Sequence, residues 1–221
     1  MPNRPIAGRA GHVFHVVNRA VEGQLLFRDH GEYLAFKHLL VRALAASPIR
    51  VLAYCLMPNH WHFVLWPRTD TELTTFIRWL SMTHAKGLRR WRGTEGRGAV
   101  YQSRYRASVV ETERYFYIVM RYVERNASRA GLVVRAEEWP WSTASGAGRV
   151  GITLAAWPLA RPRTWTAFLN EGDSPADLEF IRCRTRRNQP IAQPSEDGEP
   201  ANLAVSDVQG VGTTETSGAV E

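Results

Sequence analysis

The 221-residue chain is 44% hydrophobic, enough for one core-bearing domain with an extension, and no apolar run approaches the roughly 18 residues of a membrane span. It begins Met-Pro-Asn-Arg-Pro, without the apolar stretch of a secretion signal, and Cys55 and Cys183 are too isolated for a zinc ribbon or a disulfide framework. All 28 basic residues, 26 of them Arg, precede Asn188 and meet only 15 acids there, a balance of +13, whereas the remainder carries six acids and no base.

These features lead to the expectation of a cytoplasmic protein, nucleoid-associated when bound to DNA. An Arg-rich basic body suits a phosphate-bearing partner, because guanidinium forks match phosphate geometry. A GC-rich genome would raise Arg over Lys in the same way.

Gly11–Asn18 alternates as a first strand. Within it His12 and His15 have opposite parity, so they do not form a paired site. Asp29 is placed to cap a helix to about Ala46, with Tyr33, Phe36, Leu39, Leu40 and Leu44 at helical spacing. Ser47-Pro48 ends it. Two apolar runs, Ile49–Met57 and His60–Trp66, flank Pro58-Asn59, and the tolerance of Asn for the left-handed region predicts a β-hairpin there. Asp70 or Thr71 caps a further helix to about Trp91. Its apolar stripe is Leu73, Phe76, Ile77, Leu80 and Ala85, and its far end is basic. His84 on that helix reads as surface or packing.

Val100–Val110 is expected as a fourth strand with Gln102, Arg104 and Arg106 on one parity. Strand, helix, strand, strand, helix, strand is the split βαβ order. It implies an α+β, ferredoxin-like domain: a four-stranded antiparallel sheet with two helices on one face. Thr112 then caps another helix to about Asn126. Trp139-Pro140-Trp141-Ser142-Thr143 reads as packing, and a last helical pattern covers 177–187. The organisation expected is a domain over 1–148, a basic extension over 149–187 and an acidic disordered tail over 188–221.

His60 and His62 share one face of their strand, so two imidazoles can share a metal ion and leave positions open for substrate. Tyr122 and Asn126 lie one turn apart on a helix. Two imidazoles, one amide oxygen and one phenol are the parts needed for metal-assisted attack on a phosphodiester. A phenol ionises near pH 10 in water and is a weak nucleophile unless the phosphate is activated by a divalent ion such as magnesium or manganese. Attack by Tyr122 would give a covalent phosphotyrosine and release one sugar hydroxyl. The linkage keeps the energy of the broken bond, so it can be passed to another hydroxyl.

Tyr54–Val64 (YCLMPNHWHFV), Val100–Arg106 (VYQSRYR), Arg121–Val133 (RYVERNASRAGLV) and Trp139–Thr143 (WPWST) together resemble the single-tyrosine HUH transposases, the IS200-like group, and most of all its REP-associated tyrosine transposases. The resemblance covers about residues 8–145. It implies a ferredoxin-like core, a divalent metal, 5′-phosphotyrosine chemistry and single-stranded DNA carrying hairpins of repetitive extragenic palindromes. By the same resemblance Tyr122 is the catalytic nucleophile, and His60, His62 and Asn126 are the metal ligands. The chain departs from the pattern at Ala127, where these relatives commonly have Pro. The resemblance leaves monomer and homodimer both open.

Arg19, Gln102, Arg104, Arg106, Arg89 and Arg90 are candidate DNA contacts, as is Arg92. The main alternative is a domesticated hairpin- or single-strand-binding protein that does not cut. A metal-dependent phosphohydrolase without a covalent step would have no use for Tyr122.

Overall fold

In the computed structural model, residues 9–192 apart from Arg97 and Val150 are described. The strands are β1 (Val13–Arg19), β2 (Arg50–Met57), β3 (His60–Trp66) and β4 (Arg106–Val110). The longer helices are α1 (His30–Ala46), α2 (Glu72–Trp91) and α3 (Glu113–Glu124), followed by the short α4 (Asn126–Arg129), α5 (Gly146–Arg149) and α6 (Trp165–Asn170), and then α7 (Pro175–Arg187). The strands form one sheet in the order β2-β3-β1-β4 with every neighbour antiparallel. That is the expected α+β, ferredoxin-like arrangement.

Alternation along the strands sorts the two faces. Phe14, Val16, Tyr54, Leu56, Trp61, Phe63 and Leu65 face α1 and α2, where Phe36, Leu40, Phe76, Ile77 and Leu80 close a fully buried core. Each large side chain so buried contributes about 1.5–3 kcal/mol. Val13, Ala53, Cys55, Met57, Val64 and Val110 face the other way, against Phe116, Val119, Met120 and Val123 of α3 and Ile181 of α7. His15, His60 and His62 share this second face.

The helix caps follow the sequence. Asp29 accepts from the Glu32 amide at 3.0 Å and Thr112 from the Tyr115 amide at 3.3 Å. Thr71 precedes α2 but makes no side-chain capping bond. The β2–β3 hairpin turns at Pro58-Asn59 as expected, yet Asn59 is not left-handed; Asn188 is the positive-φ non-glycine residue among those described. The turn is fixed from outside instead. The Pro58 carbonyl accepts from the Leu26 and Phe27 amides (2.7 and 3.0 Å), and the Asn59 carbonyl accepts from Ala20 (2.8 Å).

The fourth strand is shorter than expected. Only 106–110 pairs with β1, while Tyr101 makes an isolated bridge to Ala20 and the Gln102 amide bonds the Arg19 carbonyl. The Tyr101 side chain explains the detour. Its hydroxyl accepts from Trp61 Nε1 (3.0 Å) and lies 2.6 Å from His84 Nδ1, so the segment turns inward to satisfy two buried polar rings. His84 accordingly belongs to the core.

Both sheet edges are covered. Trp139–Thr143 runs beside β2, exchanging backbone hydrogen bonds with Tyr54 and Leu56, and Trp141 stacks on Tyr33 at 4.6 Å. Packing is therefore the role of this Trp-Pro-Trp block. A Cβ on Gly148 would stand 1.7 Å from the Ser142 carbonyl oxygen, so only glycine admits this approach. At the opposite edge Ile191 is fully buried and its amide bonds the Val109 carbonyl at 2.7 Å. The segment expected to be disordered from residue 188 is ordered at its start, where Asn188 caps α7 and Ile191 pairs with β4; from residue 193 onward it lies outside the described residues. Among the described residues no helix is long and apolar enough to cross a membrane.

Candidate active site

The β3 pleat sends His60 and His62 to the face covered by α3, with ring centroids 4.9 Å apart. The α3 helix brings Tyr122 against them, its ring edge-on to His62 at 5.7 Å. A cleft of about 400 Å³ opens there, lined by His60, His62, Tyr122, Arg19, Gln102, Arg104 and Arg106 and, from α7, by Arg182, Thr185 and Arg186. A strand and a helix distant in sequence thus deliver the expected histidines and the tyrosine to one basic cleft. Arg19, Gln102, Arg104 and Arg106 are all exposed around it.

Asn126 is buried one turn beyond Tyr122, and its Nδ2 has no hydrogen-bond partner. The helix expected to reach Asn126 unbroken is interrupted at Arg125, whose backbone (φ −85°, ψ 0°) ends α3 and begins α4. Asn126 is not among the residues lining the cleft. Arg89 and Arg90 lie in the last turn of α2 and are not among the residues lining the cleft. Arg89 donates to the Gly98 carbonyl, while Arg90 is exposed. Arg92 is turned inward, a correction to its reading as a DNA contact: it pairs with buried Glu32 at 2.6 Å and donates to the Leu25 and Leu26 carbonyls.

The imidazoles are kept neutral. Burial, reinforced by Arg19 and Arg129, lowers His60 from 6.5 to about 4. Burial lowers His62 well below 6.5, with further contributions from His60, His15, Arg129 and Arg19. Burial and then Arg129 lower His15 to about 3. A neutral imidazole is the form that ligates a metal.

Among the described residues no cluster of three His, Cys, Asp or Glu side chains is arranged to hold a metal ion, so a cation here depends on a mixed donor set. The residues present fit one. His60 Nδ1 is 2.7 Å from Asn59 Oδ1, an acceptor, which places the His60 proton on Nδ1 and leaves Nε2 as a lone pair. Among the described residues nothing hydrogen-bonds to Nε2 of either histidine. Two imidazoles with an amide oxygen suit magnesium or manganese.

The sequence reading gave no role to Arg182, Thr185 and Arg186 of the cleft wall, nor to two residues packed against the site. His15 Nε2 lies 2.9 Å from His62 Nδ1, because Val17 pairs with His62 across β1–β3 and His15 is its neighbour on the same face. A search for His-x-His pairs along one strand passes over such a contact between strands. Arg129 lies with its guanidinium 4.2 Å over the Tyr122 ring and donates to the Tyr122 carbonyl at 3.0 Å. Its spacing of seven from Tyr122, two helical turns, was the available signal.

The family model described as "Transposase IS200 like" matches residues 10–126, more than half of the chain. A search of curated proteins found no match. Among solved structures the fold is similar to that of a REP-associated tyrosine transposase bound to a REP hairpin. That comparison has a TM-score of 0.53 at 19% identity and covers 65% of this chain and 82% of the other. The matched segment contains β1 to α3 with His60, His62, Tyr122 and Asn126, and on that match the chain belongs to the IS200-like transposase family.

Proposed function

We propose that the protein is a single-stranded DNA endonuclease and strand transferase of the REP-associated type, cutting at or near hairpins of repetitive extragenic palindromes in the cytoplasm. The observation that carries this reading is the edge-on placement of Tyr122 against His62 inside a basic cleft.

Tyr122 is the nucleophile. Its oxygen forms a bond to phosphorus as the bond from phosphorus to the 3′ oxygen breaks, leaving a 5′-phosphotyrosine and a free 3′ hydroxyl. The phenolic proton is lost and the departing oxygen gains one, so the step is balanced without water or ATP. Reversal onto a different 3′ hydroxyl joins strands. His60 and His62 through Nε2, and Asn126 through its amide oxygen, would hold a divalent ion, magnesium or manganese. When bound, that ion makes the scissile phosphorus more electrophilic and stabilises developing charge. Arg129 holds the Tyr122 ring. Arg19, Gln102, Arg104 and Arg106 line the path of the strand, with Arg89 and Arg90 as contacts for a hairpin stem.

A second reading, hairpin binding without cutting, is favoured by Asn126 lying outside the cleft lining and by the lack, among the described residues, of a cluster of three His, Cys, Asp or Glu side chains. Incubating the chain with labelled hairpin DNA and Mn²⁺ separates the two. The first reading gives a protein–DNA adduct that requires Tyr122; the second gives binding with no adduct.

A further inference from the structure

His15 is fully buried in the middle of β1 and takes no part in the chemistry proposed above. Its two nitrogens are nonetheless both engaged. Nε2 is 2.9 Å from His62 Nδ1, and Nδ1 is 3.1 Å from Thr185 Oγ1. The two rings are 5° from parallel with centroids 5.1 Å apart, so the short contact runs along the ring edges, where the N–H and the lone pair lie. In such a contact between neutral imidazoles one nitrogen donates and the other accepts. The Thr185 hydroxyl can accept from His15 Nδ1. This leaves His15 Nε2 free to accept from His62 Nδ1 and the His62 Nε2 lone pair turned to the cleft, matching His60.

Thr185 is held in place by several bonds. The C-terminus of α7 is tied to β4: Arg106 donates to the Arg186 carbonyl, and Ser108 Oγ lies 3.5 Å from the Arg184 carbonyl. Asn188, the left-handed C-cap, accepts from the Ala107 amide at 3.2 Å. These contacts set the height of Thr185 over His15.

We propose that His15 is a positioning residue. It fixes His62 with its proton on Nδ1, and Thr185 fixes His15 in turn, so α7 completes a metal site whose ligands all lie before residue 127. The proposal rests on the metal-ligand role given to His62 above. Groups that orient a ligating histidine through its other nitrogen typically change metal affinity by about 10- to 100-fold when removed.

The test titrates Mn²⁺ alone into the full chain by calorimetry, beside long-range ¹H–¹⁵N spectra that report the His62 tautomer without metal. His15→Leu is expected to weaken Mn²⁺ binding by about 10- to 100-fold. His15→Gln, whose amide can accept from His62 and donate to Thr185, is expected to restore it to within about threefold. Thr185→Val is expected to weaken binding by about fivefold, the loss of one hydrogen bond, and Thr185→Ser to restore it. Unchanged affinity in folded His15→Leu, or His62 protonated on Nε2 in the metal-free wild type, overturns the proposal. Should Leu at 15 prevent folding, Thr185→Val and the tautomer spectrum decide. A wild type that binds no Mn²⁺ but carries the His62 proton on Nδ1 removes the metal reading and leaves the relay standing.

Discussion

The guanidinium of Arg129 lies 4.2 Å over the ring of Tyr122 and reaches back to the same residue's carbonyl at 3.0 Å. One side chain therefore restrains both the ring and the last turn of the helix that carries it. A cation over a desolvated aromatic face is worth up to about 2 kcal/mol. Arg129→Met keeps the bulk and loses the charge and the hydrogen bond. It is expected to slow adduct formation by roughly 10- to 30-fold and to leave Mn²⁺ affinity near that of the wild type. An equal loss of metal binding would mean that Arg129 supports the metal ligands instead.

The carboxylate of Glu124, two residues after Tyr122, is almost wholly buried. It accepts from Trp165 Nε1 at 2.7 Å and from Thr143 Oγ1 at 2.9 Å. Burial is the largest influence on it and raises its pKa, with both hydrogen bonds opposing. Glu124 thus joins α3 to α6 and to the Trp-Pro-Trp-Ser-Thr segment. Glu124→Met leaves the buried Trp165 N–H without an acceptor and is expected to cost about 2 kcal/mol. Urea denaturation measures this directly; a change under 0.5 kcal/mol contradicts the account.

Acid should destabilise the fold through its buried histidines. Burial, with Arg92 assisting, lowers His84 from 6.5 to about 3. Above pH 6.5 neither folded nor unfolded His84 is charged. As pH falls below 6.5 the unfolded chain takes a proton that the folded one refuses, and stability drops until about pH 3. At pH 5 that loss is roughly 2 kcal/mol for this residue. In His84→Gln the stability difference between pH 7 and pH 5 should shrink by about that amount. An undiminished difference would place the acid sensitivity elsewhere.

Much of this was legible in the sequence and some was not. Alternation placed His60 and His62 on one face because a strand's period is local, and Asp29 and Thr112 announced their helices because capping is also local. Val100–Val110 read as one strand, since nothing in its alternation shows that Tyr101 must reach Trp61 and His84. Asn59 read as left-handed, since the bonds that fix its turn come from residues 20–27. Arg92 looked like its neighbours Arg89 and Arg90 until Glu32, sixty residues away, claimed it. His15 and Thr185 are separated by 170 residues. Contacts made by tertiary pairing leave no periodic trace.

Binding of single strands should track the cleft. Arg104 and Arg182 line it, and both are exposed. Replacing either with Gln should weaken binding to all hairpin sequences alike and reduce the salt slope by about 0.7 per lost phosphate contact. An unchanged slope in both variants would move the DNA path out of the cleft.

The most direct test of the central claim is a cleavage assay on 5′- and 3′-labelled single-stranded hairpins with Mg²⁺ or Mn²⁺, repeated with EDTA, comparing wild type with Tyr122→Phe and His60→Ala. The account predicts a metal-dependent adduct between protein and the 5′ phosphate of the cut, absent from both variants. Cleavage that persists in Tyr122→Phe, or tight hairpin binding by the wild type with no adduct under any metal, would contradict it.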